Sequence, residues 1–372
     1  MSVVVVLLML LAVRHGTILL HWCRLIRAYR PPAAGSAAPL SVVVPVRDGA
    51  GTLPDLLGDL RAQRGADFEV VVVDDHSADG TAQLVREHAR EWPALRLVSA
   101  TADGHGKKSA IMRGVAVAAN DHLLLLDADV RCGPDHVRRV GACLRATHAD
   151  LLILPVQVAG GHGMVGWLQR REGAALQGAA WGSALSGTPV LANGADLAFR
   201  KGAFVEVGGY SGDTVSSGDD VFLLQRMRQR GMRISVMPEA AVTVRTAPEG
   251  NWLAAATQRL RWAGKMWRSG GQVVGVGAMA VLLPWALAVV TVWVALQHDG
   301  AALPAVGLAL AWMAWAVPVL QLTAAVDRVF GSSGRMRLTD LLALALFMLY
   351  APVIVILSIF VRPRWKGRRV RI

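Results

Sequence analysis

The chain has 372 residues, 53% hydrophobic and only 18% charged, with a mean hydropathy of +0.41, which excludes an ordinary water-soluble globular protein. Its formal charge of +12 does not point to nucleic acid: no dense basic-aromatic platform occupies the middle, and arginines flank the apolar segments, where anionic lipid headgroups would meet them. Cys23, Cys132 and Cys143 have neither a C-x-x-C spacing nor an even count, which argues against a disulfide framework or a zinc site.

Residues 2–22 open with VVVVLLMLLAV, are interrupted by Arg14 and His15, and resume as TILLHW, about long enough to span a bilayer. The basic n-region and cleavage pattern of a signal peptide are missing, so residues 1–23 are expected to form an uncleaved anchor, with an interfacial helix as the alternative. Arg24, Arg27 and Arg30 follow, which places the next segment on the cytoplasmic side of the inner membrane. Residues 24–39, containing PPAAGSAAP, read as a linker.

A soluble region is expected over 40–270. LSVVVPV is a β-branched run stopped by Arg47-Asp48-Gly49, and residues 52–64 have the leucine spacing of a helix. FEVVVVDDHSADGT is a second buried strand ending in carboxylates. A helix over 81–90, a short strand at 95–98 and a helix from Lys107 lead to LLLLDAD at 123–129. Strands alternating with helices predict a mostly parallel, three-layer α/β sheet. Three of its strands end in Asp48, Asp74-Asp75 and Asp127-Asp129, a set of carboxylates aimed at one edge of the sheet. Asp127 and Asp129 stand two apart, so they face the same way, and hard oxygen ligands at a cleft suit Mg2+ or Mn2+. No G-x-G-x-x-G follows a strand and no G-x-x-x-x-G-K-[ST] is present, which weakens dinucleotide and P-loop readings.

Further on, residues 134–147 read as helical, LLILPVQV as one strand, and the Gly-, Ala- and Trp-rich stretch 161–187 as a helix near the membrane or a loosely packed internal one. Asp219 and Asp220 open an apolar-periodic helix, where capping alone would favour them. RISVMP and AVTVRT read as a strand pair before a helix over 251–268 that carries Gln258-Arg259-Leu260-Arg261-Trp262. A C-terminal membrane region at 271–361 holds three apolar stretches, 272–296, 302–325 and 338–361, each able to span. Three true spans would place the basic tail 362–372 on the outer side, against the usual bias; a re-entrant or interfacial segment would not.

These landmarks resemble the membrane-bound family 2 glycosyltransferases, over about residues 38–270 and with several motifs in the expected order. VVVPVRDG, VVVDDHSADGT, the Gly106-Lys107 segment, LLLLDADV, NGADLAFR with GGY, SGDD and QRLRW carry the likeness, although Asp48 stands where asparagine is more usual. The resemblance implies the GT-A fold, a Rossmann-like catalytic domain joined to transmembrane helices. It implies a nucleotide-sugar site built from Pro45, Arg47, Asp75, Lys107, Asp127, Asp129 and Arg261, with Asp129 and Asp127 holding Mg2+ or Mn2+. It implies an acceptor side of Asn193, Gly194, Ala195, Asp219 and Trp262, supported by Gln258 and Arg259, and Asp220 as general base. The expected reaction is inverting transfer of a sugar, glucose by base rate, from a UDP-sugar to a lipid-like acceptor in the bilayer, as in ceramide or carotenoid glycosyltransferases. Processive polysaccharide synthesis, polyprenyl-phosphate charging and an inactive membrane scaffold are the alternatives. His105 and His162 have no ligand spacing and are left out of the site. No feature of the sequence sets the oligomeric state.

Overall fold

The computed structural model describes residues 2–32, 35–101, 105–213, 218–266, 269, 271–297, 302–361, 364–365 and 368–369. The first helix, α1 (Ser2–Ala28), runs without a break through Arg14 and His15 and continues past residue 23, into the expected linker. Strand β1 (Leu40–Val46) is buried along its whole length. Its alternate valines serve both faces: Val42, Val44 and Val46 join one apolar core and Val43 the other. Each fully buried aliphatic side chain is worth about 1.5–3 kcal/mol, so β1 is committed to the centre of a covered sheet.

Helix α2 (Leu53–Arg61) buries Leu53, Leu56, Leu57 and Leu60 on one face, the stripe its spacing predicts. There follow β2 (Phe68–Asp74), α3 (Thr81–Glu91), β3 (Leu95–Ser99), α4 (Lys107–Val117) and β4 (His122–Leu126). After them come β5 (Val130–Arg131), α5 (His136–Thr147), β6 (Leu151–Ile153), β7 (Val156–Val158), α6 (Gly163–Leu185) and β8 (Asp196–Arg200). The domain is completed by α7 (Lys201–Glu206), α8 (Asp219–Gln229), β9 (Ile234–Val236), β10 (Val244–Thr246) and α9 (Trp252–Met266). Seven strands form one sheet in the order β3-β2-β1-β4-β8-β6-β9. All neighbours are parallel except at β8, which runs antiparallel to β4 and β6. This is the mixed, mostly parallel sheet of the GT-A fold.

Two expectations need correction. LLILPVQV is not one strand: Pro155 has no N–H to give a ladder, and the chain leaves the main sheet there, β6 staying in it and β7 joining a small sheet β5-β10-β7. RISVMP and AVTVRT do not pair with each other either. β9 extends the main sheet beside β6, whereas β10 lies between β5 and β7 and so reaches the turn after Asp127.

Among the described residues, four helices are long and apolar enough to cross a membrane: α1, α10 (Gly271–Leu296), α11 (Ala302–Val329) and α12 (Leu338–Phe360). Gly307 lies against Val5, and Gly16 against Ala314 and Pro318, so α1 and α11 run in the same direction and end on the same side. There both dock on α6. A Cβ on Gly178 would come within 2.6 Å of Leu322, and one on Gly182 within 2.3 Å of Trp22. This small-xxx-small ridge lets α11 and α1 approach the backbone of α6 closely. The stretch 161–187 is therefore a tightly packed bridge between the sheet and the membrane helices. Trp267, Arg268 and most of the basic tail lie outside the described residues.

Candidate active site

β1, β2 and β4 are parallel neighbours, so their C-terminal ends share one edge, and the carboxylates that follow them gather there. Asp75 is buried just past β2; its backbone N–H donates to the Val46 carbonyl at 2.8 Å. Its Oδ2 accepts from the Gly106 N–H at 3.0 Å and thereby fixes the start of α4. Gly106 has φ +91°, a conformation that glycine alone adopts readily. That turn aims Lys107 across the edge. Its Nζ lies 2.7 Å from Asp127 Oδ1 and 2.9 Å from Asp219 Oδ2, and donates to the Gly194 carbonyl at 3.0 Å. A side chain on Gly194 would not fit, because a Cβ there would fall 2.5 Å from Asp219 Oδ2.

The charges in this knot are strongly coupled. Burial works against the ammonium of Lys107, but Asp127 and Asp219 overcome it and hold the pKa above the ordinary lysine range. Burial likewise opposes ionisation of Asp219, and Lys107 outweighs it, so its pKa falls below the usual value. Asp127 goes the other way. Crowding by protein raises its pKa to about 6, opposed by Lys107 and reinforced by the negative charges of Asp129 and Asp219, although 32% of the side chain stays exposed. Asp129 is exposed at the turn between β4 and β5.

Asp220, the next residue on α8, is buried. Its carboxylate accepts from the Val221 N–H at 2.7 Å and the Gly194 N–H at 3.3 Å, and Lys265 of α9 sits at 3.0 Å. Tyr210, from the GGY segment, donates to the Asp219 carbonyl at 2.9 Å. Lys108 turns away from Lys107: it pairs with Asp213 at 2.7 Å and lies over the Phe222 ring at 4.8 Å. Burial lowers its pKa to about 8. Asn193 caps its own loop, Oδ1 accepting from the Ala195 N–H, and the Ala195 carbonyl accepts from the Asp127 N–H at 3.2 Å. Segment 193–195 is thus laced to Asp127 on one side and to α8 on the other.

The QRLRW residues divide. Gln258 donates to Glu249 at 3.0 Å, and Arg259 pairs with Glu172, tying α9 to α6. Arg259 also lies over the Trp262 ring at 5.5 Å. Arg261 faces the site: burial lowers its pKa, and Glu249 and Asp127 attract its charge. Pro45 is buried in β1 opposite Val73, and Arg47 pairs with Asp48 at 3.5 Å. Asp48 does not point into the cleft. It adopts φ +46°, its carboxylate accepts from the Ala78 N–H at 2.8 Å and its own N–H donates to the Ser77 hydroxyl oxygen at 2.9 Å, so it knits the β1 and β2 loops together.

Several residues at the site carry no sequence signal. Lys265, Asp213 and Glu172 arrive from distant elements and belong to no spacing rule, whereas Tyr210 stands in the GGY segment. His105 needs correction: it packs on His76 with ring centroids 4.6 Å apart, and ligand atoms of Asp75, His76 and His105 all lie within 4.8 Å of one another. That group could hold a metal ion, as could the Asp127-Asp129 pair.

Comparison with known proteins identifies the family. The family model "Glycosyl transferase family 2" matches residues 41–201, and "Glycosyl transferase family group 2" matches residues 122–360. An undecaprenyl-phosphate 4-deoxy-4-formamido-L-arabinose transferase of Aeromonas hydrophila is 34% identical over 105 residues, 27% of this chain and 32% of that protein. A poly-beta-1,6-N-acetyl-D-glucosamine synthase of Staphylococcus aureus is 26% identical over 228 residues, 57% of this chain and 50% of that protein. The chain therefore spans a third to a half of these curated relatives. A mannosyltransferase from Pyrobaculum calidifontis, solved with GDP-Man and Mn2+, shares the fold with a TM-score of 0.55, 20% identity, and coverage of 94% of this chain and 99% of that one. By its matched families and its sheet, the chain belongs to the family 2 glycosyltransferases, nucleotide-sugar-dependent enzymes of GT-A fold, here with membrane-spanning helices.

Proposed function

We propose that this chain moves a sugar, with inversion, from a UDP-sugar to the hydroxyl of a saccharide held at the cytoplasmic face of the membrane. The observation that carries the reading is the knot at the sheet edge: Asp127, Asp219 and the Gly194 carbonyl converge within 3.0 Å of the Lys107 ammonium, with Asp220 beside them. Asp127 and Asp129 fit a divalent cation, since Lys107 already occupies a cation's place against Asp127 and both carboxylates are hard oxygen donors. Such an ion, Mg2+ or Mn2+, would supply charge neutralisation on the diphosphate leaving group.

The remaining roles belong to the protein. Asp75 closes the nucleoside end of the cleft beneath Gly106, with Pro45 on the neighbouring strand and Arg47 just past its end. Arg261 and Lys107 offer donors to phosphate oxygens, the guanidinium in a fork that matches them. Asp220 takes the proton from the acceptor hydroxyl as the new glycosidic bond forms and the bond to the diphosphate breaks. Lys265 and the Gly194 N–H hold that carboxylate in place. Asn193, Gly194, Ala195 and Asp219 form the wall between donor and acceptor, and Trp262 flanks the acceptor path on α9.

Relatives with polysaccharide and polyprenyl-phosphate activities favour acceptors of those kinds over the ceramide or carotenoid lipids suggested by the motif resemblance. Between them, Asp220 favours a hydroxyl, because a phosphate acceptor is already ionised and needs no base. A second reading, charging of polyprenyl phosphate, rests on the 34% identical transferase. The test is product analysis: purified chain, UDP-sugars and Mn2+, offered glycolipid, oligosaccharide or polyprenyl phosphate. Lengthened saccharide is the expected product. Sugar found only on polyprenyl phosphate would replace this reading with the second, and sugar found on neither would refute both.

A further inference from the structure

α11 ends at Val329 and α12 begins at Leu338, so the turn between them stands where two apolar helices reach the membrane surface. The turn is not loose. Arg171 of α6 pairs with Asp327 at 2.6 Å and with Asp340 at 3.1 Å, which fastens the last turn of one helix and the first turn of the next to the same guanidinium. Between them lies a cleft of about 190 Å³ that contains Arg170, Arg171, Arg335 and Arg337 but only two carboxylates, Asp327 and Asp340. Both carboxylates are already committed to Arg171. Arg335 and Arg337 are exposed and their guanidinium groups form no ion pair among the described residues, although Asp340 Oδ2 also accepts from the Arg337 backbone N–H at 2.8 Å. Ser332 and Ser333 add hydroxyls, and Trp167 and Phe330 add apolar walls. Just beyond, α12 exposes Leu338 and Leu341, as a helix does where acyl chains begin.

We propose that this cleft binds the phosphate headgroup of an anionic phospholipid, with Arg335 and Arg337 as its principal ligands and the acyl chains lying along the start of α12. A guanidinium gives a phosphodiester two parallel donors, and the position at the end of two spans puts the cleft at headgroup depth. The preformed Arg171 clamp means that binding does not have to order the turn first. The site is separate from the sugar-transfer cleft and would anchor the α11–α12 turn, and α6 with it, against the bilayer.

The test is native mass spectrometry of the full chain released from nanodiscs holding equal phosphatidylglycerol and phosphatidylcholine. Two arginines at an anionic surface predict about tenfold enrichment of phosphatidylglycerol, allowing for the two nearby aspartates. The Arg335→Ala, Arg337→Ala double variant should lose that enrichment, and the Arg335→Lys, Arg337→Lys variant should keep most of it; thermal melting of each reports folding. Equal retention of the two lipids by the wild type, or enrichment unchanged in the alanine variant, would overturn the proposal. So would displacement of phosphatidylglycerol from the cleft by equimolar polyprenyl phosphate, which would make it an acceptor-phosphate site instead.

Discussion

Replacing Lys107 by methionine keeps the length of the side chain and removes its charge, leaving Asp127, Asp129 and Asp219 facing one another. Removing one partner of a buried pair typically costs about 3–5 kcal/mol. Here Asp127 is 32% exposed and, with its pKa raised to about 6, can escape the repulsion by taking up a proton, so about 2–3 kcal/mol is the reasonable expectation. For a domain of this size that lowers Tm by roughly 5–10 °C. The assay is thermal unfolding of the detergent-solubilised chain in EDTA, then with Mn2+. Because a divalent ion between Asp127 and Asp129 would replace the lost positive charge, Mn2+ should raise the variant's Tm by more than it raises that of the wild type. Transfer activity should fall about 100- to 1000-fold, since a donor to the developing diphosphate charge is gone. If the variant melts within about 1 °C of wild type in EDTA, or gains no more from Mn2+, Lys107 is not the counter-charge of this cluster.

Four further outcomes are expected. Asp220→Asn should lower kcat by about 100- to 10,000-fold with donor affinity near that of the wild type; lost donor binding with unchanged kcat would reject the base role. Chelation should abolish transfer and Mn2+ restore it, and Asp129→Ala should prevent the restoration; activity that persists in chelator would exclude a metal role for the pair. Lys108 has its pKa lowered to about 8, so between there and about 10.4 the unfolded chain holds a proton that the native chain has lost, and stability rises with pH across that window. Melting curves from pH 7.5 to 9.5 should show this rise relative to Lys108→Met, and parallel curves for the two proteins would contradict it. Gly182→Val would drive a side chain into Trp22 of α1, and should lower Tm by several degrees in detergent without changing donor affinity; an unaffected Tm would mean that the α1–α6 contact is not close packed.

The first 130 residues were legible because their physics is local. A strand covered on both faces must be an unbroken apolar run, and the run must stop where carboxylates begin, so LSVVVPV, FEVVVVD and HLLLL announce themselves and their ends. The predicted and observed limits of β1 are the same, Leu40 to Val46. Beyond residue 150 the runs are three residues long and partners come from far along the chain. Nothing local tells β6 from β7 except Pro155, and nothing assigns β10 to the strand after Asp127.

The sequence by itself determined the membrane class, the α/β core and the carboxylates at its edge, since hydropathy, period and strand-end chemistry are properties of neighbouring residues. Tertiary structure alone decided who partners them. Lys107 meets Asp219 across more than a hundred residues, Lys265 reaches Asp220 from α9, and His105 folds back on His76. It also separated Arg259, which bolts α9 to α6 through Glu172, from Arg261, which faces the site, although both stand in one motif. Two arginines two positions apart on a helix point about 200° apart, and only the packing of α9 says which direction is inward.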